Sequence, residues 1–176
     1  IFGATGNLAS DKLLPGLYHL DAAARLPETL HFIAVARRPW SHEEWQAHML
    51  DILRANLGER FNPIVYKRFS RRFLYQQGDV HDIEAYRTLM ATLSRPEVGS
   101  CSNVVFYLAI KPAEFPAVVT NLDKVGLSKT NGRHRIAAAR QLGQRSITVL
   151  ATADPALAYR ILALNTEKAH NLRDRS

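Results

Sequence analysis

Apolar side chains recur along this chain with two periods, one typical of helices and one typical of strands. In residues 7–24 leucines recur every three or four positions, which predicts a helix with one buried face. Residues 30–36 form a short apolar run, typical of a strand buried on both sides. Such patterns predict helices at residues 7–24, 41–57, 82–93, 113–125 and 155–169, and strands at residues 30–36, 73–77, 103–109 and 146–151. This alternation predicts an α/β fold with a doubly wound, mostly parallel sheet.

Residues that start, stop or interrupt helices agree with these limits. Ser41 and Glu44 have the spacing of a capping box, in which each side chain accepts a hydrogen bond from the other residue's backbone N–H. Gly126 suits the C-terminal cap of the helix at 113–125. Pro15 lies inside the first predicted helix and should kink or interrupt it, because proline has no N–H to donate.

The first two residues have the character of a strand end. Ile1 and Phe2 are apolar and stand directly before a glycine-rich turn. We interpret them as the last residues of a buried strand, and we expect that N-terminal strand to be truncated at Ile1.

The glycine-rich turn, residues 3–9, is the sharpest local pattern. Gly3 allows a tight turn off the strand, Gly6 allows a close backbone approach to a pyrophosphate, and Ala9 is small enough for helix and strand to pack closely. Amides at a helix N-terminus bind phosphate, and Thr5 and Asn7 can add side-chain hydrogen bonds. A plain strand-to-helix turn can look similar, but the placement between strand and helix favours a Rossmann-type dinucleotide site.

Two arginines close the second predicted strand. An acidic residue at this position would accept the ribose hydroxyls of NAD, whereas Arg37 and Arg38 offer charged donors to a 2′-phosphate. Solvated arginines beside a turn are an alternative interpretation. Together with the glycine turn, the arginines predict NADP as the cofactor.

Composition narrows the class of protein without defining it. A chain of 176 residues is about one domain. Cys101 is the only cysteine, no apolar run approaches the ~20 residues of a membrane span, and no histidines have metal-ligand spacing, so we expect a cytoplasmic protein with no membrane association and no metal.

The formal charge of +7 raises the question of nucleic acid. Residues 133–176 carry eight basic and three acidic side chains, and a second basic cluster occupies residues 67–72. Neither has a nucleic-acid-binding motif, so we interpret both as solvated basic faces and expect no nucleic-acid partner.

A particular family becomes visible after the turn. The residues that follow it in a fixed order are Lys12, Leu13, Leu14, Pro15, Leu17 and Tyr18. This opening resembles that of glucose-6-phosphate dehydrogenases, which read Gly-Ala-Ser/Thr-Gly-Asp-Leu-Ala and then Lys-Leu-hydrophobic-Pro-x-Leu. The resemblance continues at residues 35–37, 78–80, 103–115, 121–122, 126–127 and 133–136.

The resemblance implies a cofactor, a substrate and a set of contacts. It implies NADP-dependent oxidation of glucose 6-phosphate to the 6-phosphogluconolactone, in the pentose phosphate pathway, by a homo-oligomer. The implied coenzyme contacts are Gly3, Ala4, Thr5, Gly6, Asn7, Leu8, Ala9, Arg37 and Phe115. A core position for Phe115 is an equal alternative.

Four departures from the family pattern limit what carries over. Asn7 stands in place of aspartate, Lys111 in place of the first proline of a Pro-Pro step, and Phe115 in place of tyrosine. After Ile136 the family's Glu-Lys-Pro segment is missing, and so is its later Asp-His pair. We therefore expect an NADP-binding domain at residues 1–136, a divergent strand-helix tail at 137–176 in the same domain, and no catalytic residue. A non-catalytic NADP-binding module and a basic nucleic-acid-binding protein remain the alternatives.

Overall fold

The computed structural model describes residues 1–98 and 104–127. A π-helical turn, Ala9–Leu13, leads into the first α-helix. The regular elements are α1 (Leu14–Ala22), β1 (Phe32–Ala36), α2 (His42–Leu57), α3 (Pro63–Ser70), β2 (Phe73–Gln77), α4 (Ile83–Leu93) and α5 (Phe115–Lys124). Short 3-10 turns occupy Gly58–Arg60, Pro96–Val98 and Pro112–Glu114. The elements predicted at residues 146–151 and 155–169 lie outside the described residues, and no described helix is long and apolar enough to cross a membrane.

The sheet is parallel, as predicted. β1 and β2 pair in register from Phe32 opposite Phe73 to Ala36 opposite Gln77. Phe2 makes parallel bridges to Val35 on one side and to Leu108 on the other. The four extended segments, numbered along the chain, therefore stand in the order 3-2-1-4, which is the order of a Rossmann sheet up to its fourth strand.

Residues 104–109, the described part of the strand predicted at 103–109, do not form a regular strand. Within the described residues 104–109, the pairing consists of the single bridge at Leu108. Two hydrogen bonds make it: Phe2 N donates to Tyr107 O at 2.8 Å, and Ala109 N donates to Phe2 O at 2.9 Å. The neighbouring segment, Ile1–Phe2, ends at the turn that begins with Gly3. Residues of high strand propensity therefore have only a short partner with which to pair.

Helices cover both faces of the sheet, because side chains on β1 alternate between them. Ala34 faces a cluster that includes Trp45, Met49 and Phe73, with α1, α2 and α3 on that side. Ile33 and Val35 point to the other face, where they pack with α4 and α5. The buried residues of this second cluster are Phe2, Ile33, Val35, Ala85, Tyr86, Leu89, Val118, Leu122 and Leu127. The doubly wound arrangement is therefore confirmed.

Local signals set most helix limits. The Ser41–Glu44 capping box is present, with Ser41 N donating to the Glu44 carboxylate at 2.6 Å and Glu44 N donating to Ser41 Oγ at 3.2 Å. Gly126 has φ +80° directly after α5, as a C-terminal cap requires. Pro15 falls where the helix changes type, since Leu14 N donates to Ala9 O, five residues back, before α1 continues. The predicted interruption is thus a π-helical turn.

α3 was not predicted, although its start carries a clear signal. Asn62 caps the helix by accepting a hydrogen bond from Ile64 N at 2.9 Å, and Pro63 occupies the first helical position. Asn62 also exchanges two hydrogen bonds with the Tyr18 hydroxyl, at 2.9 and 3.0 Å. These bonds hold the start of α3 against α1.

The basic cluster at residues 67–72 is only partly the solvated face expected from sequence. Asp21 at the end of α1 is 1% exposed, and its two carboxylate oxygens accept from Arg68 Nε and Arg72 Nε, both at 2.9 Å. Arg72 also donates to the carbonyls of Pro27 and Leu30, at 2.7 and 3.1 Å. A buried carboxylate requires such partners, so two of these arginines are structural.

The end of α1 supplies a stability test. Ala24 has φ +52°, and Arg25 N donates to Leu20 O at 2.9 Å, as in a helix end capped by a left-handed residue. Alanine is strained there, so we expect Ala24→Gly to raise the free energy of unfolding by about 0.5–1 kcal/mol. The exposed neighbour Ala23, with φ −83°, is the matched control. Ala23→Gly should lower stability by a similar amount in the same urea titration, and a loss in both variants would contradict the assignment of strain to Ala24.

Candidate functional site

The glycine turn is attached to the end of β1. Gly3 N and Ala4 N both donate to Val35 O, at 2.9 and 3.2 Å. Gly6 N closes the turn on Gly3 O at 2.9 Å. The turn therefore lies at the carboxyl edge of the sheet, between the end of β1 and the segment that passes through Ala109.

Gly3 is required by the fold itself. Its φ is +76°, and a Cβ there would lie 2.4 Å from Ala109 O and 2.7 Å from Ile110 Cγ2. Any side chain would push the turn away from the neighbouring backbone.

Gly6 has different surroundings. Its φ lies outside the left-handed region, and a Cβ would meet only Gly3 O at 3.2 Å and Ala109 O at 3.7 Å. The fold makes only a modest demand for glycine here, so the absent side chain mainly leaves the outer side of the turn open.

Unpaired backbone donors surround this opening. The N–H groups of Thr5, Asn7 and Leu8 have no acceptor among the described residues, and Asn7 and Leu8 are the first helical residues after the turn. Free amides at a helix N-terminus, beside a glycine, form a cradle suited to a phosphate anion.

The predicted contacts of the turn fall into two groups. Ala4 and Ala9 are buried, at 1% and 0% exposed, so their side chains pack the turn onto the sheet. Asn7 is exposed, and Leu8 is an unusually exposed leucine at 47%. The buried pair can act only through the backbone, whereas Asn7 and Leu8 present side chains beside the opening.

Arg37 and Arg38 face opposite sides of the sheet end. The guanidinium of Arg38 lies over the Trp40 ring, 4.9 Å from its centroid. The Arg37 guanidinium makes no ion pair or hydrogen bond with any described residue, and it lines a cavity. Arg37 is thus a free cation two residues beyond the carbonyl that holds the glycine turn.

The cavity beside Arg37 has a volume of about 440 Å³. Its other lining residues come from the end of β2 and from α4: Gln77, Gly78, Asp79, Asp82, Glu84, Ala85 and Thr88. Sequence reasoning did not assign them to the site. The available signal was the position of Gly78 and Asp79 directly after a parallel strand, because the carboxyl ends of such strands meet at one edge.

Three carboxylates line this cavity, and each already has a partner. Asp79 accepts from His81 N at 2.9 Å, Asp82 caps α4 by accepting from Glu84 N at 3.0 Å, and Glu84 pairs with Arg87. Within residues 1–98 and 104–127 no group of acidic, histidine or cysteine side chains could hold a metal. The cavity therefore suits an uncharged, hydrogen-bonding group, with Arg37 as the anion contact.

Phe115 is half-buried at the start of α5, outside both apolar clusters of the described residues. The residue before it, Glu114, has its Oε2 2.6 Å from His81 Nε2, although no regular hydrogen bond joins them. This contact links the start of α5 to the loop after β2. Lys111, in the preceding loop, is exposed.

A parallel sheet in 3-2-1-4 order, a glycine turn with free amides and a free arginine at the next strand end together define a Rossmann-type dinucleotide-binding domain. The family model described as "Glucose-6-phosphate dehydrogenase, NAD binding domain" matches residues 1–153. The chain belongs to the glucose-6-phosphate dehydrogenase family, and this domain takes a nicotinamide dinucleotide.

Curated relatives agree with this assignment. Glucose-6-phosphate 1-dehydrogenase 2 of Mycobacterium tuberculosis (strain ATCC 25618 / H37Rv) is 32% identical over 158 residues, which cover 82% of this chain and 31% of the relative. Glucose-6-phosphate 1-dehydrogenase of Bacillus subtilis (strain 168) is 29% identical over 145 residues, covering 81% of this chain and 29% of the relative. The chain thus spans about a third of the length of the curated relatives it matches.

Solved structures show the same fold. Glucose-6-phosphate 1-dehydrogenase from Mycobacterium avium has a TM-score of 0.63 and 30% identity, covering 72% of this chain and 26% of its own. A glucose-6-phosphate dehydrogenase in complex with its substrate glucose-6-phosphate has a TM-score of 0.59 and 26% identity, covering 70% of this chain and 26% of its own.

The two glycines make a paired test of the turn. We expect Gly6→Ala to weaken dinucleotide binding about tenfold or more with little loss of stability, because the new methyl group obstructs phosphate approach. Gly3→Ala should instead lower the melting temperature strongly, since its Cβ would collide with Ala109 O. Melting temperature and affinity are measured on the same preparations. A purely thermal effect of Gly6→Ala would show that Gly6 serves only the turn.

Proposed function

We propose that this chain binds NADP and is the coenzyme-binding part of an enzyme that oxidises glucose 6-phosphate. The observation that carries the proposal is the juxtaposition of free turn amides with an unpaired Arg37 at the end of β1. Membership of the family supports the class of cofactor, and Arg37 supports NADP in preference to NAD.

Different residues bind different parts of the coenzyme in this proposal. The amides of Thr5, Asn7 and Leu8 take the pyrophosphate, and Arg37 takes the 2′-phosphate. Leu8 and Phe115 offer apolar contact, which also gives the exposed Leu8 side chain a purpose. Bound NADP supplies the hydride acceptor, and the protein supplies binding and orientation.

The Arg37 guanidinium has no ion pair or hydrogen bond with any described residue, and this makes it better suited to bind a phosphate. An arginine already paired with a carboxylate would have to exchange that partner for phosphate and would gain little. The nearby carboxylates bind other donors: Asp79 and Asp82 accept backbone N–H groups, Glu84 pairs with Arg87, and none of the three pairs with the Arg37 guanidinium. A charge-assisted hydrogen bond contributes ~1.5–3 kcal/mol in such a setting.

The reaction of the whole protein follows from its relatives. We infer removal of a hydride from C1 of glucose 6-phosphate, giving 6-phosphogluconolactone and opening the pentose phosphate pathway. A similar solved structure holds glucose-6-phosphate as its substrate. We also propose a cytoplasmic location and a homo-oligomeric whole protein, by analogy with the family.

The division of the chain is proposed on the same basis. Residues 1–136 form the NADP-binding domain, and residues 137–176 continue it as a divergent strand-helix tail. The family match runs to residue 153, past the point where the Glu-Lys-Pro segment is missing, which supports a single domain.

Two alternative functions are a non-catalytic NADP-binding module and a nucleic-acid-binding protein. The missing Glu-Lys-Pro segment favours the first, and the structure gives no support to the second. A non-catalytic NADP-binding module fits the loss of that segment after Ile136. The case for a nucleic-acid-binding role is weakened, because Arg68 and Arg72, two of the four basic residues of the second cluster, pair with the buried Asp21.

Arg37 gives the direct test of coenzyme choice. We expect Arg37→Ala to weaken NADP binding by about ten- to a hundredfold and to leave NAD binding almost unchanged, because only NADP carries the 2′-phosphate. Arg71→Ala is the control, since Arg71 is also an exposed arginine and lies outside the site. Isothermal titration with both coenzymes measures the effect. Equal losses for NADP and NAD would remove Arg37 from the 2′-phosphate.

The purified chain should not oxidise glucose 6-phosphate. General-base chemistry needs a proton acceptor beside the sugar hydroxyl, and neither the family's Asp-His pair nor its Glu-Lys-Pro lysine has a counterpart here. Positioned acid–base groups contribute ~10²–10⁴-fold, so turnover should fall below detection. Absorbance of reduced coenzyme is followed with both ligands present. Substrate-dependent reduction proportional to the chain concentration would contradict this expectation.

A further inference from the structure

The backbone that carries the two arginines is held by β2. Three consecutive carbonyls, those of Ala36, Arg37 and Arg38, each accept a hydrogen bond from that side. The donors are Gly78 N at 2.8 Å, Gln77 Nε2 at 3.5 Å and the Tyr75 hydroxyl at 2.6 Å. The bond to Tyr75 is the shortest of the three, and it reaches furthest beyond the end of β1.

Tyr75 is itself well fixed. Its ring stacks on Trp45, with centroids 5.5 Å apart and planes 21° apart, and Trp45 is fully buried. Burial raises the pKa of the Tyr75 hydroxyl, so this group remains a protonated donor at neutral pH. A rigid ring with a permanent donor suits the task of fixing the Arg38 carbonyl.

The same aromatic group determines where the Arg38 side chain lies. Trp40, under the Arg38 guanidinium, packs against Tyr75 at 6.2 Å and against His48 at 4.7 Å between centroids. Arg38 is thereby kept on the α2 side of the sheet. Because side chains alternate along an extended chain, Arg37 must then face the cavity on the α4 side.

A one-residue slip of this segment would exchange the two arginines. A change of one position moves each side chain of an extended segment to the opposite face. Two adjacent arginines therefore specify the chemistry of a phosphate contact but not which guanidinium makes it. Pairing of β1 with β2 sets the register as far as Ala36, and beyond that residue the hydroxyl of Tyr75 is the last of the three contacts that hold the segment in this register.

We propose that Tyr75 is a positioning residue for coenzyme choice: by binding the Arg38 carbonyl, beside the Trp40 stack, it directs Arg37 toward the 2′-phosphate. This inference rests on the proposed NADP site and deepens it. Tyr75 touches no coenzyme atom in this scheme. Its loss should therefore affect the 2′-phosphate contact and spare the pyrophosphate and adenosine contacts.

The test compares two tyrosines that make the same kind of bond. Tyr66 is also half-buried, its pKa is also raised by burial, and its hydroxyl donates to Gln46 O at 2.6 Å, away from the site. Tyr75→Phe and Tyr66→Phe each delete one hydroxyl and one hydrogen bond to a backbone carbonyl. Both should lower the melting temperature by similar small amounts, which controls for stability.

Only Tyr75→Phe should change coenzyme choice. We expect NADP affinity, by isothermal titration, to fall about three- to tenfold in Tyr75→Phe while NAD affinity stays within twofold. Adenosine 2′,5′-bisphosphate should weaken in parallel with NADP, and adenosine 5′-phosphate should not. Tyr66→Phe should leave all four ligands unchanged. Trp40→Phe, which keeps an aromatic ring under Arg38, should retain most of the NADP preference.

Each result decides between defined outcomes. Equal loss of NADP and NAD affinity in Tyr75→Phe, or no loss of either, overturns the positioning role while leaving the NADP site intact. Failure of the unsubstituted chain to bind either dinucleotide overturns the proposed function, and this inference with it. If Tyr75→Phe proves unstable, the same affinities are measured at a lower temperature at which the variant is folded, and an unchanged ratio of NADP to NAD affinity there overturns the inference as well.

Discussion

The contact between Gly3 and the backbone of Ala109 is the constraint on which the rest of the site depends. No Cβ fits there, because it would lie 2.4 Å from the Ala109 carbonyl oxygen. The close approach allows Phe2 to bridge Val35 and Leu108, so that the sheet passes under the turn. Gly3 N and Ala4 N of the turn bind Val35 O, and the amides of Thr5, Asn7 and Leu8 have no acceptor among the described residues. A larger residue at position 3 would separate all of these contacts at once.

The end of β1 serves two purposes that follow from parallel pairing. Val35 O accepts both amides of the turn, and two residues later the chain presents Arg37. β2 ends beside it and holds the carbonyls of residues 36–38. The groups proposed to bind the two phosphates therefore lie at one edge, because the carboxyl ends of parallel strands meet there.

Charge alone is a poor guide to function in this chain. The net charge of +7 suggests polyanion binding, yet Arg68 and Arg72 stabilise a buried carboxylate and Arg38 lies on an indole ring. The cation that matters for the proposed ligand is Arg37, whose guanidinium lacks an ionic partner among the described residues. Arg37 differs from the other arginines in its surroundings, and the net charge of a chain does not report the surroundings of any one residue.

Sequence by itself determined what residue types and their order record: the Ser41–Glu44 capping box, the limits of α2 and β2, the glycine turn, and the family. The capping box arises from contacts within four residues, and the other features leave a pattern of residue types that can be recognised without knowing their distant contacts. Only the tertiary structure decided that Asp21 would bind Arg72 from 51 residues away, that residues 104–109 would pair with Phe2 through a single bridge, and that Arg37 would face the cavity. Those outcomes depend on which distant backbone or side chain completes a hydrogen bond. Chain spacing alone does not specify that partner.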